Sequence, residues 1–155
     1  MLKKFFLLAL GLLLLSPQYI LAQPGDIEIV EVVLARDVVD HEPEGAFEPP
    51  AFCEKSESQQ DMVPVVDSKD NEKVCLWTRV QSTIDETLLH TWYKEDGGWV
   101  KMAEVPLKVQ KSLGFRTWSS KKIIPGLHRG KWMVVISTAS DPENALCKVH
   151  FEIKD

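Results

Sequence analysis

A chain of 155 residues that is 45% hydrophobic and 26% charged can bury one domain-sized core, and it is neither a disordered tail nor a bundle of membrane helices. Its net charge of −5 argues against a nucleic-acid binder. The sequence holds no nucleotide-binding, zinc-finger or EF-hand spacing, so no cofactor and no metal are expected.

Residues 1–22 come first in the chain and read most clearly. Lys3 and Lys4 precede an apolar run from Phe5 to Leu15, Ser16-Pro17-Gln18 break it, and Ile20-Leu21-Ala22 supply a small residue before a cut. This order predicts a secretory signal helix over 1–22 and a periplasmic or extracellular protein. The run is too short to span a bilayer. The membrane is involved only if Phe5–Ala22 stays uncleaved as an anchor.

The rest, 23–155, reads as a single all-β domain: an immunoglobulin-like antiparallel β-sandwich of about seven strands. Ile27–Arg36 alternates as a strand. A long acidic stretch with Pro43, Pro49, Pro50 and Pro64 then runs over 37–71 as a loop, with a short edge strand at Val63–Asp67. Lys73–Ser82 and Glu86–Glu95 follow as strands. Asp96-Gly97-Gly98 is a hairpin turn, and Trp99–Val109 returns from it. Pro106 places that strand at an edge or a bulge. Phe115–Ser120 is short. Lys131–Thr138 is apolar on both faces, as in a central strand, and Ala145–Ile153 closes the domain.

Charge is uneven. Residues 23–72 carry 14 acids and 3 bases, whereas 73–155 carry 9 acids and 13 bases. Lys108 to Lys131 contains seven bases and no acid. Such a stretch either attracts an anionic partner or lies beside the chain's own acidic half, and the second reading is preferred. Asp37, Asp40, His41, Glu42 and Glu44 match no calcium loop and read as a hydrated acidic segment. Export permits a disulfide among Cys53, Cys75 and Cys147. Strand parity favours Cys53–Cys75, with Cys147 buried and free.

His90-Thr-Trp92-Tyr93, Arg116-Thr-Trp118-Ser119-Ser120-Lys121, Gly130-Lys131-Trp132 and the ending Phe151-Glu152-Ile153 carry a likeness. Together with Arg36–Pro43 and Cys75-Leu-Trp-Thr78, they make most of residues 30–153 resemble a bacterial exported family known only as a domain of unknown function. The resemblance implies an exported or surface β-sandwich and no established activity.

Three readings of function follow from the residues. In the first, His90, Trp92, Arg116, Trp118, Ser120 and Lys121 form the ligand-binding set of a non-catalytic module in the bacterial cell envelope. Indole faces stack on sugar or peptide groups, and the charged side chains supply hydrogen bonds. The partner is a carbohydrate or peptidoglycan fragment or another envelope protein. In the second, the same residues are a structural ladder of an accessory domain without a small-molecule ligand, with Arg116 stacked on an indole and His90 bonded to a backbone carbonyl. In the third, which is disfavoured because no G-x-S-x-G elbow is present, Ser119 or Ser120 and His90 serve a hydrolase.

Overall fold

The structure is a computed structural model that describes residues 27–54 and 62–155. The expected signal at 1–22 lies outside the described residues. Those that are described form nine strands in two sheets and no helix. In chain order the strands are β1 (Ile27–Val39), β2 (Glu42–Ala46), β3 (Val65–Asp67), β4 (Lys73–Ser82), β5 (Glu86–Glu95), β6 (Trp99–Val109), β7 (Ser112–Lys122), β8 (Gly130–Thr138) and β9 (Cys147–Lys154). One sheet has the order β2-β1-β4-β7, the other β3-β9-β8-β5-β6. All neighbours are antiparallel except β3 and β9, which run parallel.

Period-two alternation turns one side of each sheet inward. Leu34, Val74, Leu76 and Val80 from the first sheet meet Leu88, Trp92, Trp132, Val134, Ile136, Val149, Phe151 and Ile153 from the second, all with almost no exposed surface. Phe151 sits between two indoles. It stacks on Trp132 at 6.2 Å and meets Trp92 edge to face at 6.1 Å. Burying aromatic rings of this size dominates the energetics of so small a core.

The stretch 37–71 is more regular than its composition suggests. β1 runs on to Val39, and the chain reverses through Asp40 and His41, which hold φ of 50° and 67°. Asp and His are among the residues that tolerate this left-handed region, so Asp-His takes the place of the usual Asn-Gly in a two-residue hairpin turn. β2 then returns along β1, with Asp37 opposite Glu44 and Val39 opposite Glu42. With β2 added, the described residues form nine strands, more than the about seven expected. β3 lies at a sheet edge, as expected of a short strand there, but it pairs in parallel with β9.

The cysteine pairing differs from the expectation. Cys53 bonds Cys147, and Cys75 is buried and free. The reason is the course of the segment around Cys53. It lies along β9, where the Glu54 N–H donates to the Lys148 carbonyl at 2.8 Å. Cys75 is covered instead by β1, and its thiol points to the Arg36 carbonyl at 3.8 Å. The bridge spans 94 residues, a closure worth about 5 kcal/mol in the chain-entropy model.

Candidate functional site

The structure splits the six expected site residues between two faces of β5 and β7. His90 and Trp92 share the inward face of β5. Ser119, from the inward face of β7, meets both. The Trp92 indole N–H donates to Ser119 Oγ at 3.1 Å, and His90 Nδ1 lies 2.8 Å from the same oxygen. On the other side of the ring, His90 Nε2 is 3.3 Å from Thr78 Oγ1, whose hydroxyl donates to the Thr117 carbonyl at 3.0 Å.

These contacts fix where the protons sit. Thr78 spends its hydroxyl hydrogen on Thr117, so it must accept from His90 Nε2–H. His90 Nδ1 is then the acceptor, and Ser119 donates to it while accepting from Trp92. Every polar atom of the cluster is satisfied in the neutral state of the imidazole. His90 is 0% exposed and Ser119 is 4% exposed. Burial pushes the His90 imidazole down to about 4. The hydroxyl–imidazole pair has the spacing of a nucleophile and its base, but it lies sealed between the sheets, where no substrate carbonyl can approach.

Arg116, Trp118 and Ser120 alternate with that inward set and so face outward on the same strand. Trp118 stands opposite Trp77 across the β4–β7 ladder, and Arg116 opposite Arg79. Like charges facing each other repel, and two glutamates relieve them. Glu42 Oε1 is 2.9 Å from Arg116, and Glu31 Oε2 is 3.0 Å from Arg79. The β1–β2 hairpin tip leans over this strip. His41 meets the Trp118 ring edge to face at 5.5 Å, and its carbonyl accepts from the Trp77 indole N–H at 2.8 Å. Further along, Lys73 bonds Asp37 at 2.6 Å, which holds the Asp37 carboxyl below the usual carboxylate range. Some of the bases in the second half therefore do pair with acids of the first half. Ser120 is exposed.

Beside Trp118 an open groove of about 440 Å³ is lined by His41, Lys108, Phe115, Arg116 and Trp118. It lies where the edge strands β6 and β7 of the two sheets come together. Lys121 is not part of it. It belongs to the inward-facing set, and its ammonium lies 4.9 Å above the Trp132 ring, where burial lowers its affinity for a proton. Among the described residues, no three His, Cys, Asp or Glu side chains are grouped to hold a metal.

Residues 85–153 match the model of a family described as a protein of unknown function, DUF2914. No curated protein matches the chain. The DUF2914 match starts just before β5 and takes in β6, β7, β8 and nearly all of β9. All six expected site residues fall inside it. Several residues that complete the two clusters fall outside: Thr78 on the inward side, His41 and Glu42 on the outward side. Sequence reading missed His41, Lys108 and Phe115 as groove residues and Ser119 as the hub of the buried network. The parity signal for Ser119 was present, because it alternates with Trp118 and must face the other way. The reach of His41 across to β7 has no local signal.

Proposed function

We propose that this protein is a non-catalytic, exported, immunoglobulin-like module that binds a ligand or partner in the bacterial cell envelope through the outward face of β7. The observation that carries the reading is the groove beside Trp118, where indole and phenyl surface meets Arg116 and Lys108. That combination suits a group presenting both an apolar face and a carboxylate, such as a peptidoglycan fragment or an acidic loop of an envelope protein. The leader-like start of the sequence and the Cys53–Cys147 disulfide both support an oxidising compartment outside the cytoplasm. The binding set is Trp118 and Arg116, joined by His41, Lys108 and Phe115. His90, Trp92 and Lys121 shape the strand from within.

The test is capture from solubilised envelope and from a muropeptide mixture by wild-type protein, Trp118→Ala and Lys108→Glu. The proposal expects both variants to keep the wild-type circular dichroism spectrum and to lose the captured species. Equal capture by all three proteins would remove the site. A second reading, the structural accessory domain, draws on one observation. Glu42 and His41 of the chain itself already occupy Arg116 and one edge of Trp118. A hydrolase draws only on the Ser119–His90 distance, and the burial of that pair argues against it.

A further inference from the structure

The opposite sheet carries a second groove of different character. A cavity of about 200 Å³ is lined by Glu95, Trp99, Lys131, His150 and Glu152, with Val63 at its margin. Its parts come from four separate places in the sequence and are held in position. Trp99 follows the turn in which Gly97 and Gly98 take φ of 66° and 147° and the Asp96 N–H donates to the Gly98 carbonyl at 2.8 Å. Glycine adopts both angles freely, and the 147° at Gly98 is outside what other residues readily take, so the turn sets where the indole emerges. Trp99 remains 42% exposed. His150 meets it edge-on at 5.6 Å. The His150 ring is held by Glu54, 2.8 Å from Nε2, and Glu54 is tied to β9 by the adjoining Cys53–Cys147 bridge and by its own backbone bond to Lys148. Lys131 stands opposite Glu152 in the β8–β9 ladder, and Glu95 stands opposite Trp99 in the β5–β6 ladder.

We infer that this groove is a subsite for one ring of a neutral saccharide. An exposed indole offers a flat apolar surface to the C–H face of a pyranose. Glu95 and Glu152 accept hydrogen bonds from hydroxyls, and Lys131 donates to ring or hydroxyl oxygens. Glu95 and Glu152 are balanced by Lys131 and by Lys154, whose ammonium lies 3.4 Å from Glu152, so the groove has no net positive charge to draw a phosphorylated or sulfated ligand and suits a neutral one. The cavity falls below the range of about 300–1,000 Å³ that holds drug-sized molecules, which fits a single ring better than a larger ligand. The site lies on the other sheet from the β7 groove and does not rest on it.

The experiment titrates the full exported chain with cellotetraose, maltotetraose and chitotetraose, and with inositol hexaphosphate as an anionic comparison, by tryptophan fluorescence and calorimetry. At least one neutral oligosaccharide binds, and the phosphate compound does not compete with it. Trp99→Ala weakens that binding by about tenfold or more, Trp99→Phe recovers part of it, and Trp118→Ala leaves it unchanged. If Trp99→Ala unfolds, Glu95→Gln with Glu152→Gln replaces it and is expected to weaken binding. No binding of any neutral sugar at millimolar concentration overturns the inference. So does a loss caused by Trp118→Ala but not by the changes around Trp99, a result that would instead favour the β7 groove.

Discussion

Lowering the pH should destabilise the protein through His90. In the folded chain burial holds its imidazole at about 4, against an ordinary value near 6.5. Between those values the unfolded chain binds a proton that the folded chain refuses, so stability rises with pH across the window and falls as the solution is acidified. The contribution is intact above about pH 6.5. It then declines by at most about 1.4 kcal/mol per pH unit and is lost by about pH 4, for a total of about 3 kcal/mol. The structure supplies the cause. A second ring proton on Nδ1 would face Ser119 Oγ, which already donates to that nitrogen and accepts from Trp92. The Ser119 hydroxyl would have to turn away into apolar surroundings. Urea unfolding at pH 7.5, 6.5, 5.5 and 4.5 on wild type and His90→Gln checks this. The wild-type free energy should drop by about 2–3 kcal/mol more than that of the variant over the range. Proton NMR of the His90 ring gives a second readout that does not depend on the variant folding. A midpoint between 6 and 7 in the folded protein, or equal pH slopes for the two proteins, would refute the reasoning.

Other outcomes follow from the same geometry. Ser119→Ala leaves the Trp92 N–H and His90 Nδ1 without partners and should cost about 2 kcal/mol or more in urea unfolding, while Ser120→Ala next to it should stay within about 0.5 kcal/mol. Reduction of Cys53–Cys147 should lower stability by about 2–5 kcal/mol and visibly reduce the melting temperature, whereas Cys75→Ser should leave the response to reductant unchanged. A melting curve indifferent to reductant would contradict the pairing. Arg116→Ala removes an exposed ion pair and should change stability by less than about 1 kcal/mol, so any loss of binding it causes is a local effect at the groove. Phe151→Ala opens a hole between Trp92 and Trp132 and should cost about 3–5 kcal/mol by chemical denaturation.

Alternation made the core of the fold readable in the sequence. β4, β5 and β6 have the bounds that their hydrophobic periods and the Asp96-Gly97-Gly98 turn suggest, and Trp132 lies in the core as its company with Val134 and Ile136 requires. The failures have a common origin in contacts that are remote in sequence. The Asp40-His41 turn carries a weak hairpin signal, so β2 was hidden in a proline-bearing acidic stretch. Cys53 has no periodic context of its own, and only the path of its segment along β9 selects Cys147 over Cys75. The site divided for the opposite reason, since local motifs were read too closely. His-x-Trp and Arg-x-Trp look alike in sequence, but strand register turns the first into the space between the sheets and the second to the outer face of its sheet. Trp92 is therefore enclosed and Trp118 stays half-exposed.

Photo-crosslinking in intact cells tests the outward β7 face most directly. A benzoylphenylalanine placed at Arg116 should give a discrete adduct with an envelope component, and the same group at exposed Leu127, on the β7–β8 turn, should give none. Equal labelling from both positions, or none from position 116 in a folded and exported protein, would contradict a binding role for that face.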